Sequence, residues 1–331
     1  MSIVAIDSFD NYSIWTDKWS SGIPNLNVNP LFVRTGSQSL NPFAGAFQNL
    51  ARINFANRTT MIMGCAAYVD VLGEQLFGFF NNVAGFFYLS LGVNTDGSIN
   101  CFINNANFFT SAPNLFTALK YNYVEVKAQF VTGGPVEIRL NGVTIGTPAF
   151  PNLGGAPTGV DGFIFQGSAT ASVYIDDFYL LDDTPAPPAG NDDFLGAVRI
   201  YAEFPNANES PLQFTPLAGT NFSEVNQTPP PGDAAYVFDG TVGDVDQYRY
   251  PITGPVGSYL IKGIQHSLDC KLDAAGSHGI CSQIGAQSGP TQAVTVTYHM
   301  AVTPWDNNPV TGLAWQPTDF AATFLGPKIV T

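Results

Sequence analysis

Charged residues are scarce in this chain, making up 11% of its 331 residues, against roughly 25% in an average soluble domain. Basic residues are the rarest, with 12 Lys and Arg against 26 Asp and Glu. The formal net charge of -14 makes phosphate backbones and anionic membrane surfaces poor partners, because like charges repel. We therefore expect neither nucleic-acid binding nor membrane insertion.

Long apolar runs and histidines in the first half are absent, and cysteine is scarce. No segment approaches the roughly 18 consecutive apolar residues of a membrane helix, and the N-terminus lacks the basic start of a signal peptide. We therefore expect the protein either to stay in the cytoplasm where it is made or to leave it by a route other than secretion. Four cysteines are too few for a disulfide scaffold. All three histidines follow residue 265, so the first half lacks the commonest general base.

Strand signals separated by turn residues recur along the whole sequence. Residues Tyr123–Phe130 alternate polar and apolar side chains, as in a half-buried strand. Asn141-Gly142 separates two further alternating runs and is the strongest short signal for a hairpin. Tyr174–Leu181 is predicted as the last strand of the first half. The sequence therefore predicts an all-β protein.

The chain has room for about two domains, each with its own core. A proline-rich segment at 185–190 is typical of a short, stiff linker. We predict a β-sandwich over residues 1–184, the linker, and a smaller β-sandwich over residues 191–331.

Phenylalanines cluster in Gly78–Tyr88. We interpret them as sheet core, because aromatic side chains fill sandwich interiors well. The alternative is an aromatic platform on which a sugar could stack, although Trp and Tyr suit that role better than Phe.

Two cysteines in the second half suggest either a metal site or a thiol pair. The spacing His266-x3-Cys270-x7-His278-x2-Cys281 offers soft ligands for tetrahedral zinc. A hairpin centred on residues 273–276 would instead place Cys270 opposite Cys281, as a cross-strand disulfide or a close thiol pair. We favour the pair over zinc, and unrelated buried cysteines remain the third alternative.

The second half also offers carboxylates that could bind calcium. Asp239, Asp244 and Asp246 group three carboxylates with two glycines, although the ordered alternation of an EF-hand loop is absent. We keep these three residues as a candidate calcium site and expect no other cofactor.

Several segments resemble known families. Tyr123–Lys127, Val136–Val143 and the strand Ile175–Asp182 are similar to the late strands of laminin-G and concanavalin-like jelly-roll domains. In that family the last of these strands returns to pair near the N-terminus. The stretch that begins NDDFLGAVRIYAEFPN at Asn191 and the later NPVTGLAW resemble a structural module of tailed-bacteriophage particles. Ala197 and Phe214 depart from that module, which usually has Asp and Trp there.

The phage resemblance implies a virion structural protein of a tail or capsid-surface appendage. Its partners would be other virion proteins, further copies of itself and, in one alternative, a host surface glycan that it binds as a receptor adhesin. A polysaccharide depolymerase is the third hypothesis.

The acidic doublets at 176–177, 182–183 and 192–193 do not support catalysis. A glycosidase needs two carboxyls facing one cleft, whereas adjacent strand residues point to opposite faces. The Glu-x-Asp-x-x-Glu signature of concanavalin-like glycosidases is also absent. We therefore predict no catalytic residues and no enzymatic activity.

Overall fold

The computed structural model describes residues 2–11, 18–19, 27–42, 51–151, 158–167, 173–184, 191–251, 259–273, 278–321 and 323–330. The proposed linker, 185–190, lies outside the described residues. Among the described residues no helix is both long and apolar enough to span a membrane. The chain divides into two compact units. Unit 1 comprises Met1–Phe9, Trp19–Pro185 and Asn191–Ile200, and unit 2 comprises Asp10–Lys18, Ala186–Gly190 and Tyr201–Thr331.

Unit 1 contains fourteen strands among its described residues. They are β1 (Ser2–Asp7), β2 (Asn27–Asn29), β3 (Ser39–Asn41), β4 (Ala51–Arg58), β5 (Thr60–Val69), β6 (Gln75–Asn81), β7 (Phe86–Val93), β8 (Ile99–Ile103), β9 (Ala106–Thr110), β10 (Asn122–Gln129), β11 (Val136–Leu140), β12 (Val143–Gly146), β13 (Val160–Phe165) and β14 (Val173–Asp182).

Two antiparallel sheets form a sandwich from these strands. Sheet A has the order β12-β11-β10-β5-β14-β3-β2, with β1 also paired to β14, and sheet B has the order β4-β13-β6-β7-β8-β9. The pairing of β14 with the N-terminal strand is the one that the laminin-G resemblance implied. The predictions of an all-β chain and of a jelly-roll sandwich in the first half are therefore confirmed.

Local turn chemistry explains the hairpin that was predicted at Asn141-Gly142. Asn141 and Gly142 have φ of 51° and 81°, as a type I′ turn requires, and join Leu140 to Val143. Asparagine and glycine tolerate these positive φ values better than other residues do.

Aromatic rings fill the space between sheets A and B. Phe163 of sheet B stacks on Phe178 of sheet A with centroids 5.1 Å apart, and Phe79 lies 5.2 Å from both Phe163 and Phe130. Trp19 is fully buried beside Phe178, and its indole Nε1 donates to Asp7 Oδ2 at 2.8 Å. Burying such rings supplies most of the stabilisation of a sandwich of this size.

Residues 191–200 pack with unit 1. Phe194, Leu195 and Val198 lie against a small apolar cluster on the side of sheet A that faces away from sheet B. Tyr179 and Tyr123 are at the centre of this cluster. The contacts of unit 1 thus extend ten residues past the position where the sequence placed the start of the second domain.

Unit 2 is also built from β-structure. Its strands are β15 (Ala207–Leu212), β16 (Thr215–Pro216), β17 (Val237–Phe238), β18 (Asp246–Arg249), β19 (Ile264–Cys270), β20 (Gly279–Ile284), β21 (Gln287–Ser288), β22 (Gln292–Ala293), β23 (His299–Trp305) and β24 (Leu325–Ile329). They form a six-stranded sheet and the two-stranded sheets β16-β17 and β19-β23. Its described residues also form a short helix, α1 (Asn221–Val225), and two 3-10 turns (Gly232–Ala234 and Pro317–Ala321). Ile284, Trp315 and Leu325 form its core.

Candidate functional site

The surface of sheet B that faces away from sheet A is the strongest candidate for a binding site. The inner side of the sheet carries Phe77, Phe79, Leu89, Leu91, Phe163 and Phe165, all fully buried. The outer side, here called the B face, is defined by Arg52, Asn54, Gly78, Phe80, Phe87, Ser90, Gly92, Asn100, Phe102, Gly162 and Ile164.

Strand register arranges the B face in rows that cross the sheet. One row runs Asn54, Gly162, Phe80, Phe87, because each of these residues is the direct cross-strand partner of the next. The neighbouring row runs Arg52, Ile164, Gly78, Ser90, Phe102. The face therefore combines aromatic rings, amides and small residues.

Two phenylalanine rings lie flat on the B face, each above a glycine of the adjacent strand. A Cβ added to Gly162 would meet Phe80 Cζ at 2.2 Å, and one added to Gly78 would meet Phe87 Cδ1 at 3.0 Å. The ring centroids of Phe80 and Phe87 are 6.0 Å apart. Glycine is required at both positions because any larger residue would lift the ring from the sheet.

Arg52 covers the ring of Phe80 from the solvent side. Its guanidinium carbon lies 4.3 Å from the ring centroid, in a cation–π contact, and its Nε donates to Asn54 Oδ1 at 2.8 Å. Asn82 Nδ2 donates to the same Asn54 oxygen at 3.2 Å and to Asp161 Oδ1 at 2.9 Å. This network borders one end of the B face with groups that form directional hydrogen bonds.

A second polar group borders the other end of the B face. The amide of Gln75 lies over Gly92, where a Cβ would meet Gln75 Nε2 at 2.9 Å. Asn100 donates from Nδ2 to Asn94 Oδ1 and accepts from Thr110 Oγ1 at 2.8 Å. The B face is thus an apolar strip between two sets of amides, an arrangement typical of ligand sites in proteins.

The Phe-rich run Gly78–Tyr88 divides between the two sides of sheet B. Phe79 and Tyr88 are fully buried and approach Phe130 in the core, as the sequence interpretation expected. Phe80 and Phe87 instead lie on the B face. A register shift next to Phe80 explains the division, since it reverses the strand alternation between Leu89 and Phe87.

The first acidic doublet departs from the alternation that the sequence predicted. Asp177 has φ 48° within a bulge of β14, so both carboxylates reach Thr35. Asp176 Oδ2 accepts from Thr35 N at 3.0 Å, and Asp177 Oδ2 accepts from Thr35 Oγ1 at 2.9 Å. The prediction that these side chains point to opposite faces is therefore wrong. Both are fully buried and pair internally with Arg34, so they do not line a cleft.

The other doublets form local contacts. Asp182 Oδ2 accepts from Arg58 Nε at 2.5 Å, and Asp183 Oδ2 accepts from the backbone and hydroxyl of Thr59. Asp193 pairs with Lys127 at 3.2 Å. These carboxylates fix the strand ends and the packing of residues 191–200.

The candidate calcium ligands do not converge as a set of three. Asp246 is fully buried, and its carboxylate accepts from Gln213 N, Phe214 N, Asn221 Nδ2 and Tyr248 OH at 2.6–2.8 Å. Asp244 instead accepts from Gln213 Nε2 at 3.2 Å, and Asp239 from Thr241 N at 2.7 Å. Four protein donors already occupy the lone pairs of Asp246, so these residues do not fit a shared calcium ion. In the described part of the chain no three His, Cys, Asp or Glu side chains are grouped as metal ligands would be.

The two cysteines of the second half lie on strands of different sheets. Cys270 of β19 is opposite His299 of β23, and Cys281 of β20 is opposite Lys328 of β24. The expected hairpin between β19 and β20 does not form, and both cysteines are free thiols. His266, a candidate zinc ligand, is buried between the Tyr250 hydroxyl and the Ser282 hydroxyl. The spacing of residues near Cys270 did not predict its contact with His299, which lies 29 residues farther along the chain.

Comparisons with known proteins identify no family for this chain. No family model matches the chain, and a search of curated proteins finds no match. Among solved structures, it is similar to an endo-β-1,4-glucuronan lyase from the fungus Trichoderma reesei, with 12% identity, a TM-score of 0.41, and coverage of 54% of this chain and 95% of the lyase. It is similar to the cellulose-induced protein Cip1 at 15% identity and a TM-score of 0.38, over 50% and 91% of the two chains. It is also similar to the carbohydrate recognition domain of Emp46p at 9% identity and a TM-score of 0.35, over 54% and 98%.

These similarities correct one expectation. The sequence predicted that the protein is not an enzyme, but polysaccharide lyases are among the structures to which the chain is similar. The exclusion of enzymes is therefore wrong.

Proposed function

We propose that unit 1 is a glycan-binding sandwich and that the B face is its contact surface. The observation that carries this proposal is the ring of Phe87, which is half-buried and held over Gly78 on the B face. Phe80 beside it is buried under Arg52, and amides border the strip. The apolar C–H face of a sugar packs on a flat aromatic ring, while its hydroxyl groups need donors and acceptors around the rim. Carbohydrate recognition by a structural neighbour supports the same class of ligand.

Removing the Phe87 ring tests the proposal. We expect Phe87→Ala to lower glycan affinity at least tenfold, because it removes the stacking surface and leaves Arg52 and the amides in place. Screening the intact chain on a glycan array identifies ligands, and calorimetric titration then compares the variants.

Phe109→Ala is the matched control. Its ring also lies over a glycine, since a Cβ on Gly146 would meet Phe109 Cζ at 2.1 Å, but Gly146 belongs to sheet A. Equal loss of affinity in the two variants would contradict the assignment to the B face. Release of oligosaccharide during the titration would show that the protein also cleaves its ligand.

Virion placement and self-association remain predictions from the sequence resemblance. A receptor adhesin on a particle surface is compatible with glycan binding, and antibody labelling of intact particles would test that location.

A further inference from the structure

We propose that the ligand of the B face is a neutral glycan, recognised through its hydroxyl groups by Gln75 and Gln166, and that acidic glycans are disfavoured. This inference depends on the proposed function and specifies its ligand class.

The two glutamines lie on adjacent strands at the same end of the B face. Gln166 follows the last residue of β13, and its backbone N–H donates to Leu76 O at 2.9 Å, which places it beside Gln75 of β6. Phe165 points into the core, so the alternation of an extended chain directs Gln166 to the outer side. Gln75 reaches that side through a register shift next to Leu76.

Both side-chain carbonyl oxygens are buried, and neither has a hydrogen-bond partner among the residues that the structure describes. An unsatisfied buried acceptor costs about 1–3 kcal/mol. Each glutamine is itself only half-buried, so its side chain lies at the edge of the surface of the B face. A ligand hydroxyl placed against these oxygens would satisfy them, whereas a carboxylate at the same position, which only accepts, would not.

The charge of the surroundings favours the same ligand class. Arg52 is the only charged residue among those that define the B face, and it stacks on Phe80 at the opposite end, in the row beside Asn54. The network that holds Asn54 includes the carboxylate of Asp161. The chain as a whole carries a net charge of -14, so a polyanion meets long-range repulsion before contact.

Matched pairs of ligands test the inference on the unmodified full chain. Neutral oligosaccharides of β-1,4-linked glucose and of mannose are compared with the same oligomers oxidised to carboxylates at C6, together with the neutral hits of the glycan array. We expect at least tenfold weaker binding after oxidation, measured by calorimetry at low and at physiological salt. Equal or tighter binding of the oxidised ligands would overturn the inference.

Two variants separate this inference from the proposed function. Gln75→Leu and Gln166→Leu remove the orphan acceptors and should each weaken neutral-glycan binding about tenfold, with circular dichroism confirming the fold. If the chain binds uronate oligomers and Phe87→Ala abolishes that binding, glycan binding at the B face stands and neutral specificity is wrong. If no glycan, neutral or acidic, binds, both proposals are wrong.

Discussion

At the scale of single residues, Asp246 of unit 2 is a fully buried carboxylate that accepts four hydrogen bonds. Its buried carboxylate holds together three chain segments by accepting from Phe214, Asn221 and Tyr248. Hydrogen bonds to a charged acceptor contribute about 1.5–3 kcal/mol each, and a donor left unpaired in the interior adds a further cost. The residue that composition suggested as a metal ligand therefore has a structural role.

Asp246→Asn should lower the free energy of unfolding by about 3 kcal/mol, because one acceptor oxygen becomes an amide that faces other donors. Urea denaturation measures the change. Asp244→Asn is the control: Asp244 is half-buried and accepts a long hydrogen bond from Gln213 Nε2 at 3.2 Å, so its change should stay below about 0.5 kcal/mol. A loss of similar size in both variants would show that the carboxylate network is not the cause.

Bulges account for the side chains that the sequence alone does not predict correctly. A register shift reverses the alternation at Phe87, another does so at Gln75, and a third turns Asp177 to the side of Asp176. A residue's face can be counted from its neighbours only in a regular strand, since one inserted residue flips every side chain beyond it. The aromatic content of the B face was visible in the sequence, but its orientation was not.

At the scale of elements, residues 194–200 are held on sheet A by buried polar groups. Tyr179 OH donates to Glu125 Oε1 at 2.5 Å and accepts from Leu195 N at 3.1 Å, while Gly196 N donates to the same Glu125 oxygen at 2.9 Å. Burial raises the pKa of Glu125 above its ordinary value. Farther along, Ile200 N donates to Asp177 Oδ1 at 2.7 Å. Hydrogen bonds to Tyr179, Glu125 and Asp177 thus hold residues 194–200 on sheet A.

Tyr179→Phe should loosen this segment without unfolding the sheet. The variant keeps the ring over Gly64, where a Cβ would meet Tyr179 Cε1 at 2.3 Å, and removes only the hydroxyl. Losing a net hydrogen bond of about 1.4 kcal/mol should accelerate amide exchange of Leu195 about tenfold.

Tyr123→Phe provides the comparison for that experiment. Its hydroxyl donates to the backbone oxygen of Asp177 at 3.0 Å and not to the segment of Leu195, so the exchange of Leu195 should stay near the wild-type rate. If hydrogen-exchange mass spectrometry finds the same acceleration in both variants, the Tyr179 hydroxyl does not anchor the segment.

Hairpins were predictable from the sequence where a turn determined the pairing, and not elsewhere. Asn141-Gly142 fixes the register of β11 and β12 within a few residues. The turn predicted at 273–276, by contrast, would have joined two strands that instead pair with distant partners: Cys270 is opposite His299, and Cys281 is opposite Lys328. Non-local pairing depends on the burial of whole faces, which a local pattern does not encode.

At the scale of the whole molecule, Asp176 of unit 1 and His266 of unit 2 are buried groups whose pKa values are shifted in opposite directions. In unit 1, burial and the charge of Asp177 raise the pKa of Asp176 to about 7 from an ordinary 3.8. In unit 2, burial lowers the pKa of His266 to about 4 from 6.5. Both groups prefer their neutral form, because a low-dielectric interior penalises charge.

The two units should therefore respond oppositely to pH. Asp176 binds its proton more tightly in the folded state, so its contribution is present below pH 3.8 and is lost as the pH rises to about 7. His266 binds its proton more weakly in the folded state, so its contribution is present above pH 6.5 and is lost as the pH falls to about 4. Between pH 4 and 6.5, raising the pH should weaken unit 1 and strengthen unit 2 through these groups.

Hydrogen exchange measures both trends in one sample. It is followed across this pH range, corrected for intrinsic rates, in β14, which contains Asp176, and in β20, whose Ser282 hydroxyl contacts His266. Other carboxylates add their own pH dependence, so the informative quantity is the difference between each variant and the wild type. In Asp176→Asn, the part of the stability of β14 that falls with rising pH should disappear, with no change in β20. In His266→Gln, the part of the stability of β20 that increases with rising pH should disappear, with no change in β14. If either substitution changes the pH dependence of both strands equally, the units do not titrate independently, and the division of the buried charges between them is wrong.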